Sequence, residues 1–144
     1  MKTAVVTGGS RGIGLGVVRM LAGRGYRVLA SYAHDKAAAD AAAQELGDKV
    51  LFCQADHSVR QQTYAFVDFV RQQTDEVHCI VCNAGITRRH DFLSTTDQDW
   101  DAMQEVAVNA HFILLRELYP LVQRDARILF TGSTMVVHPH ATVL

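Results

Sequence analysis

The sequence predicts an α/β fold, a doubly wound parallel sheet of about five strands in the order 3-2-1-4-5. Three observations carry that expectation. Apolar runs alternate with helix-periodic stretches along the chain, the order that puts helices on both faces of a mostly parallel sheet. Most runs are almost unbroken, as in Ala4-Val5-Val6 and Cys79-Ile80-Val81-Cys82, which suits strands covered on both faces. The segment TGGSRGIG, Thr7 to Gly14, follows the first run directly, so a glycine-rich turn joins the first strand to the first helix.

In chain order, Thr3–Thr7 reads as the first strand and Ile13–Arg24 as the first helix. Arg27–Ser31 is the second strand. The alanine-rich Lys36–Leu46 is a helix that Gly47 closes as its C-cap. Val50–Cys53 is the third strand, Ser58–Gln73 a helix, and Val77–Cys82 the fourth strand. A long helix is expected from Asp97 to Arg124. Thr96 and Asp99 form a capping-box pattern at its start, and Trp100, Met103, Ala107, Ala110, Leu114, Leu118 and Leu121 trace one apolar face. Arg127–Thr131 is the fifth strand. No linker or internal repeat interrupts this order.

The 144 residues are 49 % hydrophobic and 20 % charged with two prolines, which suits one domain with a sizeable core. A net charge of -1 creates no field that would attract nucleic acid or an anionic membrane. No run approaches the ~20 apolar residues of a membrane span, and the opening residues show no leader pattern. The expected location is the cytoplasm, with no nucleic-acid or membrane partner.

Cys79 and Cys82, in CIVC, imitate a metal or redox pair. On a strand, three residues at ~3.3 Å rise place them about 10 Å apart on opposite faces. A disulfide needs Cα atoms within ~7 Å. Cys79 and Cys82 read as buried strand residues, the three cysteines with Cys53 form no disulfide framework, and no metal site is expected.

In a doubly wound sheet, ligands bind beyond the strand ends where the strand order reverses. That point falls between the first and fourth strands, bringing Thr7–Gly14 and Asn83–Gly85 together. Glycines at 8, 12 and 14 permit positive φ and close approach of another group to the backbone. Placed before a helix N-terminus, such a loop aims free N–H groups and the positive helix end at an anion, usually phosphate. The spacing G-x-x-x-G-x-G excludes a P-loop and differs from the common G-x-G-x-x-G fingerprint.

With Thr7 in front, this spacing resembles the T-G-x-x-x-G-I-G signature of the short-chain dehydrogenase/reductase family. Asp56 follows the third strand, where that family's acid contacts adenine. Asn83-Ala84-Gly85 matches its NAG motif. Asn109, in VNAHF, matches a structural and proton-relay asparagine, and Ser133, in RILFTGST, matches the catalytic serine. NAGITR followed by a DW helix start is similar to 3-oxoacyl-[acyl-carrier-protein] reductases and acetoacetyl-CoA reductases. The resemblance implies a single NADP(H)-binding Rossmann-like domain over residues 1–144. It also implies a small ketone, alcohol or acyl thioester as substrate and Ser133 and Asn109 as catalytic residues. Gly8, Ser10, Arg11, Gly12, Ile13, Gly14, Tyr32, Asp56, Asn83, Ala84 and Gly85 would line the nucleotide site.

NAD sites usually carry an acid about 20 residues past the glycine loop, bonded to the ribose hydroxyls. Tyr32 occupies that place, and a tyrosine does not repel a 2′-phosphate. Arg11 adds a positive charge within the loop, and a basic residue just before the second loop glycine goes with NADP in the resembling family. These residues favour NADP(H) over NAD(H), with Asp35 weighing the other way.

The resemblance further implies a catalytic Tyr-x-x-x-Lys, whose tyrosine, counted from Ser133, falls beyond Leu144. No tyrosine follows Tyr119 and no lysine follows Lys49. The chain therefore matches only part of a usual member and is expected to be inactive as written. Three readings compete: a shortened form of a longer reductase, a natural short nucleotide-binding protein or inactive remnant, and a site completed by a partner or other residues. His138 and His140 read as a solvated tail beside Pro139. His57, His78, His90 and His111 read as surface or satisfied structural residues, and Arg88 and Arg89 as a solvated loop. Apolar surface on the last strand and the long helix implies self-association, so a homo-oligomer is expected.

Overall fold

A computed structural model describes residues 1–87 and 91–138. Strand β1 is Thr3–Val6, followed by helix α1 (Gly12–Gly23), β2 (Arg27–Tyr32), α2 (Lys36–Leu46), β3 (Val50–Gln54), α3 (Arg60–Gln73) and β4 (Val77–Cys82). Helix α4 (Asp97–Gln104) runs through a π turn, Glu105–Asn109, into α5 (Ala110–Leu118), and β5 spans Val122–Phe130. All pairings are parallel and the order is β3-β2-β1-β4-β5, the doubly wound arrangement the sequence predicts.

The sheet separates two cores by the alternation of its side chains. Val5, Leu29 and Ile80 face Phe66, Val67 and Val70 of α3 and Leu114 and Leu118 of α5. Ala4, Val6, Val28, Ala30 and Val81 face Val18 and Leu21 of α1. Cys79 belongs to the second cluster and Cys82 to the first, so the two thiols point to opposite faces and stay free. Burial pushes the Cys82 thiol up to about 12, which keeps it protonated and unreactive.

Helix ends follow local chemistry. Asp35 Oδ1 accepts from the Ala38 amide at 2.9 Å at the start of α2, and Gly47, at φ 65°, closes it. Thr96 and Asp99 form the reciprocal capping box of α4.

The expected single helix from Asp97 to Arg124 needs correction. It ends at Leu118, and a 3₁₀ turn over Tyr119–Leu121 carries Pro120, whose ring and missing N–H end helical propagation. Val122 is already in β5, paired with Val77, and the register shifts before Cys79 pairs with Arg127. The strand is therefore Val122–Phe130, longer and earlier than Arg127–Thr131. The expected apolar face is also revised. Trp100 and Ala107 are exposed, whereas Met103, Val106, Ala110, Leu114 and Leu118 are buried. The wider π turn rotates the following residues, so Val106 takes the inward place expected of Ala107.

Candidate functional site

The loop after β1 is fixed by hydrogen bonds to three neighbouring segments. Thr7 N–H donates to Val81 O at 3.0 Å. The Thr7 hydroxyl oxygen accepts from the Asn83 and Ala84 amides, both at 2.9 Å. Asn83 Nδ2 donates back to Thr7 O at 3.1 Å and Gly8 O at 3.2 Å. From the other side, Gly8 N–H donates to Ser31 Oγ at 3.1 Å and Gly9 N–H to Ser31 O at 2.8 Å.

Two glycines meet distinct requirements within this frame. Gly8 has φ 67°, a left-handed conformation that side chains resist. A Cβ on Gly14 would collide with the Gly8 carbonyl and with Asn83 Nδ2, so the first turn of α1 lies against the loop with no room for a side chain. The first amides of a helix have no partner within it. Here Arg11 makes no side-chain cap and the first turn holds no acid. The positive end of α1 is thus left for an anion.

Around this loop lies a cleft of about 530 Å³. Gly8, Ser10, Arg11, Gly12, Ile13 and Gly14 line it from the loop, Tyr32 and Asp56 from the ends of β2 and β3, and Asn83, Ala84 and Gly85 from the end of β4. The structure therefore brings together every residue expected at the nucleotide site. Arg11 is exposed at the rim and Tyr32 is buried. Asp35 also lines the cleft, but its carboxylate is engaged as the cap of α2.

Burial works to raise the Asp56 carboxyl. The Ser58 hydroxyl and amide, which donate to Oδ1 at 2.7 and 2.9 Å, outweigh it. With His34 Nε2 at 3.3 Å from Oδ2, the group sits below the usual carboxylate range. An ionised acceptor therefore waits at this end of the cleft.

The two residues assigned to the reaction lie elsewhere. Ser133, beyond β5, is exposed, and its Oγ accepts from Met135 N–H at 3.1 Å. Asn109, in the π turn, donates from Nδ2 to Glu105 Oε2 at 2.7 Å. Arg60 grips the same carboxylate through two bonds at 2.8 and 2.7 Å. Neither Ser133 nor Asn109 lines the cleft, although Val106 of the same turn does. His138 is exposed. His57 and His111 are buried, and His78 Nδ1 accepts from Thr3 N–H at 3.2 Å. Arg88, Arg89, His90, Pro139 and His140 lie outside the described residues.

Sequence reasoning missed several lining residues: Ala33, His34, Ala55, His57, Ser58, Ile86 and Val106. All but Val106 directly follow a strand or sit within a few residues of its end, where ligands to doubly wound sheets collect. That rule would have found them. Among the described residues, no group of three or more His, Cys, Asp or Glu could hold a metal, and no helix is long and apolar enough to cross a membrane.

Comparison with known proteins gives one consistent answer. The family described as short chain dehydrogenase matches residues 2–143. The chain is 32 % identical over 147 residues to a 2-dehydro-3-deoxy-D-gluconate 5-dehydrogenase of Pseudoalteromonas atlantica, covering 99 % of this chain and 58 % of that protein. A 3-oxoacyl-[acyl-carrier-protein] reductase of Staphylococcus aureus is 32 % identical over 139 residues, covering 93 % of this chain and 56 % of that protein. The crystal structure of a short chain dehydrogenase from Burkholderia cenocepacia in complex with NADP superposes with a TM-score of 0.91 at 31 % identity, over 98 % of this chain and 59 % of that one. The chain thus spans less than two thirds of the length of these relatives.

Proposed function

The chain belongs to the short-chain dehydrogenase family, an oxidoreductase family, and on that premise we propose that its cleft binds NADP(H) for a carbonyl reductase or alcohol dehydrogenase reaction. The proposed substrate is a 3-oxoacyl thioester or a similar ketone. One observation carries the nucleotide reading. The uncapped positive end of α1 lies against a loop whose Gly8 and Gly14 exclude side chains, which leaves a concave anion site within the cleft of about 530 Å³. Arg11 at its rim and Tyr32 at the end of β2 support the 2′-phosphorylated cofactor. Bound there, the cofactor would supply a hydride to a carbonyl as NADPH or accept one from an alcohol as NADP⁺. Ser133 is assigned to polarise the carbonyl and Asn109 to the proton path. The exposed apolar residues of β5, together with Val108 and Phe112 on the helical face, support self-association into a homo-oligomer.

A second reading is a nucleotide-binding unit that does not turn over by itself. It is favoured by the position of Ser133 and Asn109 off the cleft. Fluorescence titration with NADPH and NADH, followed by NADPH oxidation with an acetoacetyl thioester, separates the two. The first reading expects NADPH to bind at least about tenfold tighter than NADH, a difference of about 1.4 kcal/mol, with turnover once a chain or partner supplying the Tyr-x-x-x-Lys proton donor is present. Binding without turnover selects the second reading. Absence of NADPH binding overturns both.

A further inference from the structure

Beneath the glycine loop lies a buried histidine that the nucleotide reading does not use. His57 follows Asp56 beyond β3 and is only 5 % exposed. Both ring nitrogens are engaged, Nε2 at 2.8 Å from Ser31 Oγ and Nδ1 at 3.0 Å from Thr63 Oγ1 on α3. Ser31 and Thr63 are wholly buried. Ser31 is also the residue that holds the loop, since its hydroxyl oxygen accepts from Gly8 N–H and its carbonyl from Gly9 N–H. A continuous path of hydrogen bonds thus runs from α3 through the imidazole to the backbone of a left-handed glycine.

Counting protons selects one arrangement. A neutral imidazole carries one N–H and one bare nitrogen. Ser31 Oγ already accepts from Gly8, and its own proton needs an acceptor. With Nε2 bare, Ser31 donates to it and Nδ1–H donates to Thr63 Oγ1, so each group is used. With the proton on Nε2, Ser31 Oγ receives two donors and its own proton must turn away inside a buried site, at a cost of about 1–3 kcal/mol for an unmade bond. A doubly protonated ring has the same fault and adds a buried charge. Burial, reinforced by nearby His111 and opposed by Asp56, lowers the imidazole to about 4. The ring also packs against Phe66 in a T-shaped arrangement, with centroids 5.7 Å apart.

We propose that neutral His57 is a positioning residue for nucleotide binding: by accepting the Ser31 proton it keeps that hydroxyl facing Gly8 and holds the loop in its phosphate-receiving shape. The proposal rests on the nucleotide-binding reading above. It assigns His57 no contact with the reacting atoms.

Amide hydrogen exchange read at Gly8, with Ile80 of β4 as internal reference, tests the clamp without a ligand. His57→Leu removes the acceptor, and Gly8 is expected to exchange about tenfold faster, the loss of roughly one net hydrogen bond, while Ile80 is unchanged. His57→Gln returns an acceptor oxygen to Ser31 and is expected to keep Gly8 within about threefold of the wild type. Ser31→Ala removes the Gly8 partner directly, should match His57→Leu, and replaces it if that variant does not fold. Unchanged Gly8 exchange in Ser31→Ala overturns the proposal, as does equal acceleration in His57→Leu and His57→Gln. NADPH titration of the same proteins is expected to show affinity falling about tenfold wherever Gly8 loosens. Loosening with unchanged affinity also overturns the proposal. A wild type that takes no NADPH sinks the nucleotide reading instead, and that outcome is separate from the result at Gly8.

Discussion

On β1 and β2, Ala4 to Val6 and Val28 to Ala30 are wholly buried, whereas on β5 Ile128, Leu129 and Phe130 are 44 %, 49 % and 62 % exposed. The residues are equally apolar, so the difference comes from position. β1 has a strand on each side and packed helices on both faces, while among the described residues β5 pairs only with β4 and shifts register as it does so. The two regions also divide the site. Of the residues assigned to the nucleotide, all but Asp56, which follows the half-buried edge strand β3, sit on or near the covered strands, and Ser133 follows the exposed one. The proposed nucleotide binding therefore draws on a frame fixed several times over, and the proposed carbonyl chemistry on a strand paired on one side within the described residues. Thr131 Oγ1, donating to Asn83 Oδ1 at 3.1 Å, is one tie between them.

The strongest way to break this contrast is to make one substitution in both regions. A methyl group on Gly14 meets backbone, the Gly8 carbonyl, and cannot be relieved by a side-chain rotation. The same group on Gly132, just past β5, meets nothing within 4 Å among the described residues. Gly14→Ala is expected to weaken NADPH binding more than about a hundredfold and to cost about 3 kcal/mol of stability. Gly132→Ala is expected to change stability by less than about 0.5 kcal/mol. Urea denaturation and NADPH titration of both variants measure this. Equal effects at the two positions would mean that the loop is as tolerant as the edge.

Asn83→Ala sharpens the contrast at the point where the regions meet. It removes two bonds to the glycine loop and the acceptor for Thr131. The loop carbonyls are left without their side-chain donor in a partly buried place, so a loss of about 2 kcal/mol is expected, with weaker NADPH binding. If stability falls but NADPH affinity holds, Asn83 ties the sheet together without shaping the cleft.

Legibility in the sequence divides along the same boundary. Helix α2 was readable to the residue because its ends are local: an alanine-rich run that Gly47 must close. The cleft was readable because glycine spacing and strand ends are local too. The end of the long helix carries a local signal too, Pro120, but the start of β5 does not. Val122 to Arg124 continue a plausible helical pattern, and what makes them strand is pairing with β4, more than 40 residues earlier. The π turn similarly displaced Ala107 from the expected buried face. Ser31, His57 and Thr63 each look ordinary in sequence. Their joint role arises from contacts across 26 and 6 residues, with no periodicity to announce it.

The smallest expected effect tests the edge itself. Leu129 is half exposed on β5, so replacing it with lysine strips little packing and adds a charge that water can solvate. Leu129→Lys is expected to alter unfolding free energy by less than about 0.5 kcal/mol and to leave NADPH affinity unchanged. A lysine on a strand edge that is unpaired among the described residues does, however, oppose pairing with another chain, so sedimentation at micromolar concentration should shift toward monomer. A loss of more than about 2 kcal/mol, the size seen for a buried leucine, would show that β5 is packed as tightly in solution as β1. The division between a fixed nucleotide frame and an open reaction edge would then fall.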